Sequence, residues 1–381
     1  MKHYHYIFAG TGLASLMTVY EMIVSGKFKA KKILLLDSDS KKTNDRTWCF
    51  WEKPNGKYEN LVAKKWNTAV FSSKNYSRDL DLSPYQYKMI HGFDFYSFVF
   101  GVISKAENIE FANEKILNYE EKENKIIVTT ESNSYSSDKL FNSIFNPEEI
   151  LSQEKYPLLQ QHFIGWKIKS SESVFTPEKA TFMDFSVAQK GNTRFMYVLP
   201  FSENEALIEY TLFSKDLLFE EEYEEEIKNY IEKLGIKNYE ILEKERGNIP
   251  MTSYPFWNKN TKNILNIGSA GGWTKASTGY TFKNATKKSK ELVSFLLQEN
   301  DFRKFQKRNK FWFYDLLLLD ILDKKNHVGS SIFSAMFKKG NPSLIFKFLD
   351  EETSFSEDIQ VILKCPTGLF LKALFSRIRR L

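Results

Sequence analysis

Two glycine-rich turns, far apart in the chain, carry the plainest chemistry in this sequence. Gly10-Thr11-Gly12-Leu13-Ala14-Ser15 follows a short apolar run and opens an apolar helical pattern. In that setting Gly10 permits a tight turn and Gly12 lets the backbone approach a pyrophosphate. The amides of Leu13 and Ala14 then begin a helix whose positive end faces the anion. Ser15 stands where a third glycine is usual. Asp37 closes the next apolar run, KILLLD, where a carboxylate accepts hydrogen bonds from a ribose hydroxyl. The second turn lies within IGSAGGWTKASTGYTF, Ile267 to Phe282. There Gly268, Ala270, Gly271 and Gly272 can bring backbone N–H groups toward another anionic part of a cofactor.

Such residues need a scaffold. His5 to Ala9 reads as a buried strand, Leu13 to Ser25 as a helix and Lys32 to Asp37 as a second strand, which makes a βαβ unit. A helix is predicted at Tyr96 to Lys105, two or three strands between Ile109 and Tyr135, and another strand at Lys139 to Asn146. The stretch from Lys57 to Asp81 is charged and alternating. From Gln161 to Tyr210 apolar and polar residues alternate, which predicts an antiparallel sheet. A helix follows at Glu220 to Leu234, then a short strand at Asn263 to Gly268, the second glycine turn and a helix from Tyr280 to Gln298. The remainder is helical and aromatic. Glycine turns on both sides of the central sheet imply one discontinuous nucleotide-binding domain of residues 1–75, 87–155 and 245–300. Residues 156–244 are an inserted substrate domain and residues 301–381 a helical C-terminal region. The fold class expected is α/β.

Composition narrows the function. The 33 Phe, 19 Tyr and 7 Trp supply flat apolar surface suited to an apolar or cationic guest. Two cysteines and five histidines without ligand spacing give no metal site, and the cysteine usage fits a reducing cytoplasm. The net charge of +6 is dispersed until Lys372, Arg377, Arg379 and Arg380, so nucleic-acid binding is not expected. No run reaches the roughly 18–20 apolar residues of a spanning helix.

The order of elements resembles FAD flavoproteins, in which a second strand-glycine turn reaches the flavin end; Ser269 stands where that turn often carries an acidic residue. NDRTWCFW (Asn44 to Trp51), directly after the ribose-binding strand, resembles a signature of bacterial lycopene cyclases. So do YKMIHGFDFY, FMDFSV, RFMYVLPFSENEALIEYT, GNIPM and AGGWTKASTGYTF, in the family's order. The resemblance implies a glutathione-reductase-like FAD domain with a β-sheet substrate domain. It also implies closure of the ψ ends of lycopene, and of related ψ-ended carotenes, into β-ionone rings without net redox change. The flavin would work reduced, supplied through NAD(P)H, in a cytoplasmic protein peripheral to the inner membrane.

Ring closure requires an acid, a stabilised cation and a base. The family's F-L-E-E-T motif aligns with Leu207-Ile208-Glu209-Tyr210-Thr211, making Glu209 the acid. Tyr210 replaces the second acidic residue and joins Trp48, Phe50, Trp51 and Trp273 as rings expected against substrate. Asp184 is a candidate base or a partner of Arg194, and Arg46 a candidate for the FAD pyrophosphate, or for a surface ion pair with Asp45 or Asp39. Phe348 to Thr353 matches the acidic motif by letters but lies in the helical tail, and reads as a solvated acidic turn. LFLKALFSRIRRL, Leu369 to Leu381, is a basic amphipathic segment suited to a membrane surface, or a terminal helix docked on the body. Two other readings stay open: a redox flavoprotein of the same fold, such as an aromatic hydroxylase or isoprenoid reductase, and a non-catalytic FAD- or carotenoid-binding protein.

Overall fold

The computed structural model describes residues 1–379. The chain begins β1 (Lys2–Ala9), α1 (Leu13–Ser25), β2 (Ile33–Asp37), β3 (Thr47–Glu52), β4 (Lys64–Trp66), β5 (Thr68–Ser73), β6 (Tyr76–Asp81), β7 (Gln86–His91) and α2 (Gly92–Ile103). It continues through β8 (Ile109–Asn113), β9 (Ile116–Lys122), β10 (Lys125–Thr130), β11 (Ser134–Asn142), α3 (Glu148–Leu151), β12 (Leu159–Ser170), β13 (Lys179–Phe185), β14 (Thr193–Pro200) and β15 (Glu205–Ser214). Then come α4 (Glu220–Lys233), β16 (Tyr239–Met251), β17 (Ile264–Asn266) and α5 (Phe282–Leu296). The tail is α6 (Lys310–Lys324), α7 (Gly329–Lys339), α8 (Pro342–Leu349), α9 (Phe355–Ile362) and α10 (Thr367–Ile378).

The first sheet orders its strands β8-β2-β1-β11-β10-β9, and β17 adds to β11. β8, β2, β1, β11 and β17 run parallel. Their residues Ile33 to Leu36 are fully buried because helices cover such a sheet. α1 and α5 pack together through Thr18 Oγ1, which donates to Ser289 Oγ at 3.1 Å. The two ends of the discontinuous domain therefore meet around one core that includes Leu16, Met17, Leu265 and Ala285.

The second sheet has the order β16-β12-β15-β14-β13-β5-β6. From β16 to β13 it is antiparallel, as the alternation predicts. One side of it packs against α4 through Ile208, Tyr210 and Ile227. The other side, with Leu207 and Phe213, faces the C-terminal helices through Phe333, Phe337 and Phe346.

Two boundaries differ from the sequence reading: residues 245–251, assigned with 245–300 to the nucleotide-binding domain, belong to β16 of the second sheet, and β5 differs as well. β5 lies in the segment 1–75 assigned to the nucleotide-binding domain, yet it pairs in parallel with β13, and β6 pairs with β5. Ala69 and Phe71 turn inward from β5 while its alternate residues stay partly wet. So short and polar a half-buried strand is hidden from a hydrophobicity pattern. A small third sheet, β3-β7-β4, bridges the domains, with Trp66 Nε1 donating to Pro200 O at 3.0 Å.

Candidate active site

The first glycine turn fits an anion. Gly10 has φ +86°, and a Cβ there would lie 2.4 Å from Ser143 Oγ, so only glycine suits the turn. Gly12 caps α1 without any side-chain hydrogen bond to the first-turn amides, and a Cβ on it would meet nothing within 4 Å. The open side of Gly12 and the uncapped amides form a cradle of the kind a pyrophosphate fills. Asp37 Oδ2 accepts from the Thr11 amide at 2.6 Å and the Thr11 hydroxyl at 2.9 Å, and Oδ1 accepts from the Asp39 amide. The carboxylate thus braces the turn, and its remaining lone pairs stay available to a ribose hydroxyl. Arg46 is exposed at the rim, and its guanidinium donates to Asp45 O at 3.0 Å. Among the described residues it forms no ion pair, with Asp45 and Asp39 included.

The second turn docks on the first: Gly268, at φ +59°, would place a Cβ 3.2 Å from the Ala14 Cβ. Gly271 and Gly272 serve packing, since a Cβ would strike Asn266 O and Phe256 respectively. From this turn, Ser269 and Thr274 reach the cavity that Gly12, Leu13 and Arg46 also line. Ala270, like Gly268, is absent from its walls.

That cavity, of about 1180 Å³, runs from the glycine turns along the second sheet to Leu371 and Leu374 of α10. Its walls are mainly aromatic and aliphatic, with Trp48, Trp51, Phe163, Phe182, Phe195 and Phe346 among them. Trp51 stacks on Phe346 with ring centroids 5.0 Å apart. Tyr87, Tyr197 and Tyr280 join it as a hydroxyl chain, Tyr87 to Tyr197 at 2.6 Å and Tyr87 to Tyr280 at 2.9 Å.

Glu209 projects into this cavity from β15, on the face opposite Ile208 and Tyr210, and is only 8% exposed. It accepts a hydrogen bond from the Thr211 hydroxyl. Burial, and then the nearby Glu245 carboxyl, push the Glu209 carboxyl well above the usual carboxylate range. Glu245, on β16, is a site residue that the sequence reading passed over. It lines the same cavity, and burial raises its carboxyl to about 7. Its only sequence signal is its place just before the GNIPM block.

Several expected contacts are absent. Tyr210 is fully buried under α4, where its hydroxyl accepts from Arg194 Nη1 at 3.3 Å, because strand alternation turns it away from Glu209. Asp184 shares that far side: its Oδ2 accepts from Tyr230 of α4 at 2.9 Å and its Oδ1 from the Ser186 amide, so it meets neither the cavity nor Arg194. Phe50 stacks on Phe282 at 4.4 Å in the nucleotide-domain core. Trp273 is buried in that same core near Phe305. The tail motif is not a solvated turn either. Asp350 is buried and raised to about 7, and Glu351 accepts from Lys275 at 3.0 Å. The cause is Lys275, a buried cation of the second turn that requires Glu351 and Asp315 as partners.

Solved structures share this architecture. A geranylgeranyl bacteriochlorophyll reductase-like protein from Thermoplasma acidophilum aligns with a TM-score of 0.62 at 10% identity, over 99% of this chain and 100% of that one. A flavoprotein/dehydrogenase from Cytophaga hutchinsonii gives 0.62 at 13% identity, covering 99% of each chain. A variant of the halogenase PltM in complex with FAD gives 0.57 at 12% identity, over 90% of this chain and 78% of that one. At such identities the likeness establishes a common fold, the FAD-binding Rossmann architecture with a helical C-terminus. Among curated proteins no sequence relative is found. The lycopene cyclase protein profile, in contrast, matches residues 6–374, nearly the whole chain, and the protein therefore belongs to the lycopene cyclase family.

Proposed function

We propose that the protein is a lycopene β-cyclase that converts the ψ ends of lycopene and related carotenes into β-ionone rings, with FAD in reduced form reached through NAD(P)H. The observation that carries this reading is a buried carboxyl, Glu209, set in the wall of a long aromatic cavity that begins at a dinucleotide cradle. A carboxylic acid kept protonated by desolvation can protonate an alkene, which has no basic atom to attract a weaker acid. The faces of Trp51, Phe182 and Phe346 are suited to a developing carbocation. Gly12, Leu13, Arg46 and Ser269 would hold the dinucleotide. When bound, reduced FAD would supply an electron-rich ring system whose charge offsets a cation.

A polyene soluble only in lipid must be taken from a bilayer, and the tail supports a peripheral site on the cytoplasmic face of the inner membrane. α9 and α10 meet at a bend of 117°, and among the described residues no single helix is long and apolar enough to cross a membrane. They expose Phe355, Leu363, Leu371, Phe375 and Ile378 beside Lys364, Lys372 and Arg379, and the cavity opens among Leu363, Leu371 and Phe370. Arg377 is not one of the membrane-facing charges. It is buried against Asp320 and donates to Lys155 O at 2.7 Å, which docks α10 on α6. Arg380 and Leu381 lie outside the described residues.

The test is expression in a bacterium that accumulates lycopene, with the pigments resolved by chromatography. Conversion to β-carotene is expected. Unchanged lycopene alongside flavin-loaded protein would refute the cyclase reading.

A further inference from the structure

Strand register puts four positions in one row across the cavity wall. Tyr197 on β14 pairs with Glu209 on β15, Glu209 with Gly165 on β12, and Gly165 with Glu245 on β16. Directly paired residues share a face, so all four look into the cavity. Gly165 has no side chain to stand between the carboxyls. A Cβ there would lie 3.1 Å from both Glu245 Cγ and Leu207 Cδ1 and 3.3 Å from Glu245 Oε1, so the Glu245 side chain, with a Leu207 methyl beside it, covers the vacant position.

Among the described residues Glu245 has neither a hydrogen-bond nor an ion-pair partner. The carboxyls nearest by strand position are Glu209 and Glu243; Lys244 and Arg246 flank Glu245 in β16, and both also line the cavity. Lys167 on β12 is paired with Glu205 at 2.9 Å, Lys244 with Glu224, and Asp315 across the cavity with Lys275. A half-buried carboxyl without a partner gains no ion pair or hydrogen bond for the desolvation it costs. Packing alone therefore gives no reason for it.

We propose that Glu245 is the second carboxyl of the reaction, on the same cavity wall as Glu209 and, when ionised, removing the proton that leaves after ring closure. This rests on the cyclase reading above. The O–H bond of Glu209 breaks and its proton joins the terminal double bond, leaving a tertiary cation. The electron pair of the inner double bond of the end group closes the ring and moves the charge to a methyl-bearing ring carbon. Glu245 carboxylate takes the proton from the neighbouring ring carbon, and that C–H electron pair becomes the ring double bond. One proton enters and one leaves, so no oxidant or reductant is consumed. Glu245 then gives up its proton to solvent and Glu209 takes one up before the next turnover, which resets the pair. The raised affinity of both carboxyls for protons, with Glu245 near 7, matches a pair in which one is the acid while the other ionises.

The experiment compares wild type, Glu245→Gln and Glu245→Asp as full-length flavin-loaded proteins acting on lycopene, with product rings identified by chromatography and NMR. Bound-flavin absorbance and melting temperature are recorded for each. The expected result is a rate roughly 10²–10⁴-fold lower in Glu245→Gln, residual rings with the double bond displaced from the β position, and partial rescue by Glu245→Asp. Wild-type rates of β-ring formation in Glu245→Gln would overturn the proposal and leave the cyclase reading standing. Loss of flavin or of the melting transition in both variants would assign Glu245 a structural role and overturn it as well. A flavin-loaded wild type that forms no ring would refute both.

Discussion

Replacing Glu245 by Gln should make the protein more stable above neutral pH and leave it unchanged in acid. Burial raises the Glu245 carboxyl from its ordinary 4.5 to about 7, so the folded chain holds that proton more tightly than the unfolded chain. The sign follows from linkage: the contribution is fully present below pH 4.5 and is lost as the pH rises through about 7. At roughly 1.4 kcal/mol for each tenfold change in proton affinity, the wild type loses about 3 kcal/mol over that interval. Gln keeps the shape of the protonated acid and has nothing to ionise. The difference in unfolding free energy between variant and wild type should thus be near zero at pH 4.5 and reach about 3 kcal/mol in the variant's favour by pH 8. Denaturant unfolding followed by tryptophan fluorescence across that range measures it, and shared groups that do not interact with Glu245 cancel in the difference. A flat difference, or a variant less stable at pH 8, would refute the claim that Glu245 is a desolvated carboxyl without a partner.

Three further outcomes are expected. Glu209→Gln should lower ring formation roughly 10²–10⁴-fold with bound flavin unchanged, and a variant that cyclises at the wild-type rate would remove Glu209 as the acid. Gly12→Val should fold normally, because φ is −72° and the added side chain meets open space, yet lose flavin absorbance; retention of flavin would move the pyrophosphate elsewhere. Phe375→Asp with Ile378→Asp should weaken binding to vesicles containing anionic lipid at least tenfold, since each large apolar chain is worth about 1.5–3 kcal/mol when buried. Unaltered partitioning would place the membrane face on another part of the surface.

Much of the architecture was open to reading along the chain, because it depends on local pattern. The βαβ start, the glycine turns and the alternating strands of the second sheet each declare themselves within a dozen residues, through chain reversals that require glycine and through period-two burial. Glu209 was legible as well, through the resemblance of Leu207 to Thr211 to the family's acidic motif, with alternation setting it opposite Ile208 and Tyr210. Phe50, Trp273 and Asp184 illustrate the limit. An aromatic ring or a carboxylate in a conserved-looking block fits core and cavity equally well, and only packing places Phe50 on Phe282 and Asp184 under Tyr230 of α4. The tail motif at Glu351 likewise depended on a cation, Lys275, 76 positions earlier in the chain.

Local composition and periodicity, then, settle which segments fold as strand or helix and where a dinucleotide can approach the backbone. Which carboxyls face one another is a matter of register between strands remote in sequence. Glu209 and Glu245 share one face on either side of Gly165 because β12 pairs with β15 on one side and β16 on the other, and a shift of one residue would have sent either side chain to the opposite face of the sheet.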